Sequence, residues 1–362
     1  MARVGLHRRL SLLDSKLLAV VVALTIFGII MVYDSSSASA WESFGDRLYF
    51  VKNQMVWMVL GYIALLALSL TDYHRVIKFS PVLFWLCLVL LVVVIVPGIG
   101  TKALGARRWL TIAGFNFQPA EAVKFTFIIY LSALFRKKSS GLPFLFLVLL
   151  ISALLLAEPD LGTAIVTVLT SLAVYFLAGA PLTQFLISVP LAALAGLMVI
   201  LVSPYRRQRL LTFFNHQQDP LGTSYHVRQV LLAIGSGGLF GVGLGQSHQK
   251  YLFIPEVTTD SIFAVIAEEL GFVGGLCLLA VFLWLFSRGL KIAKESGDTE
   301  GRLLAAAISI LIFAQALINI AANAALIPLT GVPLPFISYG GSSLIVSLAL
   351  IGVLLSISRS HG

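Results

Sequence analysis

The stretch FLFLVLLISALLLAEPDLGTAIVTVLTSLAVYFLAG, residues 144–179, consists of two apolar runs that only Glu158, Pro159 and Asp160 separate. Inside a bilayer every backbone polar group must be bonded within the protein, so apolar runs of this kind form helices. Proline disfavours a helical conformation of the residue before it, and the connection is short. We therefore predict a tight hairpin of two transmembrane helices.

The rest of the chain has the same character. Of its 362 residues, 59% are hydrophobic and only 11% are charged, which is about half the charged fraction of a soluble domain. We predict an all-α polytopic membrane protein that forms a single domain over residues 1–362. It has about ten transmembrane helices, which we place at about 16–34, 50–70, 80–97, 118–135, 142–158, 160–179, 182–203, 260–287, 303–326 and 336–357.

The N-terminal residues resemble a secretory signal peptide, because basic residues precede an apolar run and Ala-Ser-Ala follows at 38–40. The run from 17 to 33 exceeds the ~7–15 residues of a signal sequence, and further spans follow, so we interpret it as a retained first helix. An even number of spans puts both termini on one side. Lys and Arg are more frequent in the short segments on that side, so the positive-inside rule predicts cytoplasmic termini.

One long extracytoplasmic loop, about 203–259, is predicted between helices 7 and 8. It contains a candidate amphipathic helix at 225–234, followed by the glycine-rich sequence GSGGLFGVGLGQS. The glycines lack the preceding strand and the Lys-Ser/Thr ending of a phosphate-binding loop. We interpret them as close packing of the loop onto the helix bundle.

Several functions find no support in the sequence. The net charge of +9 comes from basic residues in short clusters between apolar runs, where topology explains them better than nucleic-acid binding does. Cys87 and Cys277 lie inside apolar runs, and the six histidines are scattered without ligand spacing. We therefore expect no nucleic-acid partner, no disulfide and no structural zinc site.

Ionisable residues at membrane depth mark a site, a pathway or a paired structural bridge, because their burial is costly. Glu121 and Lys124 are three residues apart in the predicted fourth helix, and so share one helix face. They form either a structural salt bridge or part of a functional site. Pro119 is typical of a first helical turn, which places both groups near the outer end.

Two more positions near the outer surface are candidates. Asp160 either caps the sixth helix by accepting a backbone N–H bond or serves a function. Arg107 and Arg108 precede Trp109 in a short outer segment, against the positive-inside trend. They either bind an anionic headgroup or phosphate, which suits guanidinium geometry, or are solvated loop charges.

The stretch FIPEVTTDSIFAVIAEELG, residues 253–271, holds Asp260, Glu268 and Glu269 at the start of the predicted eighth helix. Asp260 resembles an N-cap residue, and the helix dipole would keep its pKa low unless burial reverses that effect. Glu268 and Glu269 lie about two turns further along and point in different directions, so the three carboxylates cannot serve one reaction centre. We expect Glu268 and Glu269 to bond with neighbouring helices.

The residues alone indicate an outward-facing polar pocket in a protein that either moves a lipid-linked anion or transforms one.

Five motifs resemble, in order and spacing, those of the SEDS family, the FtsW and RodA proteins of bacterial cell-wall synthesis. They are RRWLTIAGFNFQPAEAVKF, EPDLGTA, DPLGTSYHVRQVLLAIGSGGLFGVGLGQS, IPEVTTDSIFAVIAEELG and PLPFISYGGSSL. The similarity covers about residues 14–357, which is nearly the whole chain.

The resemblance implies a ten-span peptidoglycan glycosyltransferase in the bacterial cytoplasmic membrane. Such an enzyme polymerises lipid II, an undecaprenyl-pyrophosphate-linked disaccharide-pentapeptide, on the outer face, and works with a class B penicillin-binding protein that crosslinks the product. The family's essential aspartate corresponds to Asp260, which would be the catalytic base. A divalent cation, Mg²⁺ or Mn²⁺, could assist the departing pyrophosphate.

The resemblance also implies a set of substrate-binding residues. They are Arg108, Glu121, Lys124 and Asp160. Of these, Arg108 and Lys124 would stabilise the pyrophosphate, together with arginines of the long loop. Ser261 replaces the family's usual Phe, and His226 stands where Gln is frequent. Neither difference removes an acid or a base, so both bear on the subgroup rather than on activity.

Two alternatives belong to other functional classes. A lipid II flippase needs a polar route through the whole bilayer, whereas the ionisable residues predicted within the spans cluster in the outer half. A scaffold that only anchors the penicillin-binding protein would retain its function after Asp260→Ala. The sequence leaves open whether the role is in cell elongation or in division.

Overall fold

The computed structural model describes residues 13–103, 106–112, 115–136, 141–214, 224–250 and 256–360. Within these ranges the chain forms helices and one small sheet. The elements are α1 (Ser15–Phe44), α2 (Tyr49–Leu70), α3 (Tyr73–Ile95), β1 (Thr101–Ala103), β2 (Ala106–Ile112), β3 (Phe115–Phe117), α4 (Pro119–Leu134), α5 (Gly141–Ala157), α6 (Leu161–Leu177), α7 (Leu182–Val202), α8 (Pro204–Phe214), α9 (Tyr225–Gly237), α10 (Ile262–Glu295), α11 (Thr299–Asn323) and α12 (Gly341–Arg359).

Seven of these helices are long and apolar enough to cross a membrane, namely α1, α2, α3, α7, α10, α11 and α12. Two shorter apolar helices, α5 and α6, form the predicted hairpin. The 16-residue α4 matches the predicted fourth span. The class of an all-α polytopic membrane protein is thus confirmed, while the count of ten spans stays a prediction.

Several helix boundaries differ from the predicted ones. The first helix continues to Phe44 instead of ending at 34. The third begins at Tyr73 rather than at 80, because the side chain of Asp72 caps it by accepting a hydrogen bond from His74 N at 3.0 Å. The last begins at Gly341 rather than at 336, since residues before it fold as a proline-containing loop, 324–340.

The short outer segment with Arg107, Arg108 and Trp109 forms part of a three-stranded antiparallel sheet, in the order β1-β2-β3. Thr101 is opposite Trp109, and Leu110 is opposite Phe117. The sequence predicts only a short loop here. The strands have only three to seven residues, too few for a clear alternation of apolar and polar residues to be read.

The glycine-rich part of the long loop packs onto the helix bundle, as predicted, and it does so at a break in α10. Gly271 has φ 69° and ψ −170°, which interrupts the helix. Val242 N then donates to Glu268 O at 3.0 Å, and Phe272 N donates to Gly238 O at 2.9 Å. A Cβ at Gly241 would lie only 2.1 Å from a backbone oxygen of α10, so the contact requires glycine.

Glu268 and Glu269 both bond with this loop, so the expectation that they bond with neighbouring helices is wrong for Glu268, while Glu269 also bonds with Asp34 of α1. Glu268 accepts from His248 N at 3.1 Å, and Glu269 accepts from Lys250 Nζ at 2.9 Å. Lys250 also donates to Asp34 on α1 at 2.7 Å. The two glutamates are therefore structural, because their charge is taken up by loop amides and one lysine.

Candidate functional site

Asp260 lies in a turn, residues 256–261, that precedes α10. It is not the cap of that helix, because Ser261 occupies the N-cap position and neither side chain bonds the first turn. Thr259 Oγ1 lies 3.3 Å from Asp260 Oδ1 and 3.0 Å from Glu256 Oε2. Two carboxylates thus share one hydroxyl group.

The pKa of Asp260 differs from the low value that a capping role predicted. Burial raises it first, and the negative charge of Glu256 raises it further, to about 6. Arg209 and the Thr259 hydroxyl oppose this rise without cancelling it. Loss of water around a carboxylate disfavours its charged form, and no capping bond is present to offset that loss.

Side-chain amides of α11 hold the Asp260 backbone. Asn319 Nδ2 and Asn323 Nδ2, one helical turn apart, both donate to the Asp260 carbonyl at 2.9 Å. Asn319 also donates to Val332 O at 2.7 Å. The Asp260 turn and the loop 324–340 are therefore fixed to one face of α11.

Asp260 forms part of the wall of a cavity of about 220 Å³. Helices α8 and α9 of the long loop supply most of the remaining wall, which consists of Gln208, Arg209, Thr212, Phe213, His226 and Val227, with Leu329 completing it. The volume is below the ~300–1,000 Å³ of a typical ligand pocket, so it can accept only part of a large substrate. The sequence indicates arginines of this loop only as a group, whereas in the structure Arg209 lines the cavity.

Glu121 and Lys124 form an ion pair of 2.7 Å on α4, and both side chains are only 2% exposed. Lys124 Nζ also donates to Gln315 Oε1 on α11 at 3.2 Å. Gln315 in turn donates to Pro333 O at 3.0 Å. The pair is therefore connected, through α11, to the loop 324–340 that Asn319 also binds.

Asp160 caps α6, as one of the two expectations held. Its Oδ1 accepts from Thr163 N at 3.0 Å and its Oδ2 from Thr163 Oγ1 at 2.9 Å. Gln118 Nε2 lies 3.4 Å from the same Oδ2. The cap therefore also joins the α5–α6 connection to the start of α4.

Arg108 is attached to the same connection. Its Nε donates to Glu158 O at 2.9 Å, and its Nη2 donates to Pro159 O. The Glu158 carboxyl group is buried and neither of its oxygens has a hydrogen-bond partner. Burial, and then the charge of Asp160, raise the pKa of Glu158 to about 8, so this group is mostly uncharged at neutral pH. The guanidinium of Arg108 is thus held by carbonyl groups rather than by a charged partner.

The loop residues 330–333 lie between these groups. A Cβ at Gly162 would be 2.5 Å from Thr330 O, and a Cβ at Gly331 would be 3.8 Å from Asp260 Oδ2. The start of α6, with its cap Asp160, and the Asp260 turn therefore contact the same loop. Among the described residues, no hydrogen bond joins the Asp260 side chain to Arg108, Glu121, Lys124 or Asp160.

One group of side chains in the described part of the chain could hold a metal ion, namely His74, Asp298 and Glu300. Asp298 caps α11 at the end opposite to Asn319, so about 30 Å of helix separates this group from Asp260. His74 Nε2 already lies 2.6 Å from Asp298 Oδ2, and Arg136 pairs with Glu300 at 2.9 Å. The group therefore does not serve the Asp260 cavity.

The chain is similar to known proteins in both sequence and structure. A family model described as "Cell cycle protein", for FtsW, RodA and SpoVE proteins, matches residues 14–362. The probable peptidoglycan glycosyltransferase FtsW of Trichlorobacter lovleyi is 40% identical over 358 residues, with 97% of this chain and 94% of that protein covered. Stage V sporulation protein E of Bacillus subtilis is 39% identical over 355 residues, with 96% and 97% covered.

The structural relatives agree with the sequence relatives. A chain from a structure on the coordination of polymerization and crosslinking by a peptidoglycan synthase complex is similar with a TM-score of 0.79 and 28% identity, over 96% of this chain and 98% of that one. The crystal structure of the rod shape determining protein RodA of Thermus thermophilus is similar with a TM-score of 0.71 and 28% identity, over 96% and 97%.

Proposed function

Because the chain belongs to the FtsW/RodA/SpoVE family, we propose that it is a peptidoglycan glycosyltransferase with Asp260 as its base. Its substrate would be lipid II, which it would join into glycan strands. The observation that carries the assignment of the base is the cavity in which Asp260 and Arg209 line one space under α8 and α9. A carboxylate beside a guanidinium offers both a proton acceptor and a counter-charge for an anionic leaving group.

The reaction assigned to this site is an inverting glycosyl transfer. The 4-hydroxyl of an acceptor GlcNAc attacks the anomeric carbon of a donor MurNAc, and Asp260 accepts the hydroxyl proton. The bond from the anomeric carbon to the pyrophosphate breaks, and its electron pair leaves with the pyrophosphate. A pKa of about 6 leaves Asp260 mainly ionised at neutral pH and makes it a stronger base than an ordinary carboxylate.

The departing pyrophosphate needs positive charge, which Arg108, Lys124 and Arg209 would supply. Arg108 can exchange its two backbone carbonyl partners for phosphate oxygens, since guanidinium groups bind both. Glu121 would keep Lys124 oriented, and Asp160 would hold the connection that carries Arg108. These roles are part of the proposal.

The proposal also includes a divalent cation, Mg²⁺ or Mn²⁺, which would bind the pyrophosphate oxygens of the substrate. It would supply further neutralisation of phosphate charge.

The proposal includes a membrane and a partner. The apolar helices indicate a multi-pass membrane protein, and we assign it to the bacterial cytoplasmic membrane with both termini in the cytoplasm, acting as one transmembrane domain. A class B penicillin-binding protein transpeptidase is the proposed partner. A structural relative from a complex that coordinates polymerization and crosslinking supports this assignment.

The test is polymerisation of labelled lipid II by the purified protein, with and without the transpeptidase. Asp260→Ala should abolish glycan formation. Asp46→Ala is a matched control, because the Asp46 carboxylate bonds with the exposed Lys52 and with the backbone N–H of Leu48, outside the cavity, and its loss should be almost neutral. Equal polymerisation by the Asp260→Ala variant and the wild type would refute the catalytic assignment.

The alternative functions predict other results. A flippase would move labelled lipid II across proteoliposomes without forming glycan. A scaffold would support polymerisation only by its partner, and Asp260→Ala would leave that support intact.

A further inference from the structure

His226 connects the long loop to the residue that follows Asp260. It lies in the first turn of α9, and its Nε2 is 2.7 Å from Ser261 Oγ. Ser261 is fully buried and forms the N-cap of α10. The contact therefore joins α9 to the segment that carries Asp260.

The imidazole of His226 is uncharged at neutral pH. Burial lowers its pKa first, and the nearby positive charge of Arg209 lowers it further, to about 4. A neutral ring can form one hydrogen bond with the Ser261 hydroxyl without adding a charge to the cavity. Such a bond fixes the position of Ser261 and does not change the charge near Asp260.

The other groups that face the Asp260 side chain come from several elements. Glu256 belongs to the same turn, and Arg209 belongs to α8. From α11 come only the uncharged amides of Asn319 and Asn323, which contact the Asp260 backbone. His226 is therefore the member of α9 among the described cavity-lining residues that is bonded to the Asp260 segment.

We propose that His226 is a positioning residue, which acts through Ser261 to fix the Asp260 carboxylate in the cavity wall and makes its position depend on α9. The proposal rests on the proposed function of Asp260. When the bond is absent, the turn would keep its contacts with α11 and with Ser338 and Tyr339 of the loop 324–340, but it would lose its connection to α9, and more water would reach the carboxylate. The transition state would then form less often from bound substrate, while binding of lipid II would change little.

The experiment is a double-mutant cycle in lipid II polymerisation, with His226→Ala, Ser261→Ala and the double variant. Loss of one hydrogen bond should lower kcat about 3- to 10-fold in each single variant, with KM within about 2-fold of wild type. The kcat of the double variant should be no lower than that of the more impaired single variant, because both changes remove the same bond. Multiplied losses in the double variant would contradict the proposal.

A pH profile adds a readout that a purely structural role would not change. Water beside Asp260 should move the acid limb of kcat/KM in His226→Ala to lower pH, since desolvation is what raises the pKa of this base. His226→Gln, whose amide can also bond the hydroxyl, should recover most of kcat. An unmoved acid limb together with unchanged kcat would overturn the proposal.

Controls separate this inference from the proposed function. His248→Ala changes an exposed histidine of the same loop that does not line the cavity, and should leave kcat unchanged. If His226→Ala does not fold, as judged by its melting temperature, the smaller change Ser261→Ala decides the outcome alone. If Asp260→Ala polymerises like the wild type, the proposed function fails. If the His226 and Ser261 variants polymerise like the wild type while Asp260→Ala does not, the positioning role fails and the proposed function stands.

Discussion

Replacing Lys124 by methionine removes one member of a buried ion pair and leaves the other member without a counter-charge. Glu121 and Lys124 are 2.7 Å apart, and each side chain is only 2% exposed. Breaking such a pair costs about 3–5 kcal/mol, because the remaining charge stays away from water. For a chain of 362 residues, that corresponds to a fall in melting temperature of about 5 °C.

The double variant Glu121→Leu, Lys124→Met separates stability from function. Two apolar side chains of similar volume remove both charges, so the melting temperature should return to that of the wild type or exceed it. If Lys124 binds pyrophosphate, as proposed, polymerisation stays about 10-fold or more below wild type. If the pair is only a structural bridge, activity returns together with stability.

The assay combines thermal unfolding in detergent with initial rates of lipid II polymerisation for the wild type, the Lys124→Met variant and the double variant. Loss of rate in the double variant at wild-type stability supports a functional Lys124. Two results would refute the reasoning: a melting temperature of Lys124→Met equal to that of the wild type, or full activity of the double variant.

The remaining predictions concern the Asp260 turn and the glycine-rich loop. The rate of polymerisation should rise with pH through about 6 and then level off, because Asp260 acts as a base only when it is ionised. A rate that is constant from pH 5 to 7 would exclude Asp260 as the base. Asn319→Ala and Asn323→Ala should each lower kcat about 3- to 10-fold in steady-state kinetics, since each removes an amide that donates to the Asp260 carbonyl. An unchanged kcat in both variants would show that these two hydrogen bonds do not position Asp260. Gly241→Ala should lower the melting temperature strongly, since Gly241 has φ +82° and an added Cβ would lie only 2.1 Å from a backbone oxygen. The control Gly196→Ala, where an added Cβ meets nothing within 4 Å, should leave the melting temperature unchanged. Equal melting temperatures of the two variants would contradict the close packing of the loop.

Much of the fold could be predicted from the sequence because the signals are local. The hairpin of α5 and α6 follows from two apolar runs around Glu158, Pro159 and Asp160, and the Asp160 cap follows from its place before the second run. The spacing of Glu121 and Lys124 predicted their pairing. These features depend on residues within about one helical turn, which sequence patterns describe well.

The parts that were missed depend on distant contacts. Asn319 and Asn323 bind the Asp260 carbonyl across 59 and 63 positions of the chain, and no local pattern indicates that pairing. The low pKa expected for Asp260 from a capping role is reversed by burial, as the expectation allowed, and by the charge of Glu256, because the capping bond is absent. Arg209 enters the site only because α8 folds back over the turn, which the loop sequence does not encode locally.

The central claim is that the Asp260 carboxylate accepts a proton during glycan polymerisation. The most direct measurement is the initial rate of lipid II polymerisation by the Asp260→Asn variant, which keeps the size of the side chain but removes its basicity. The rate should fall about 100-fold or more, as expected for loss of a general base, while the melting temperature stays close to that of the wild type. A rate within about 2-fold of the wild type, at equal stability, would contradict the claim.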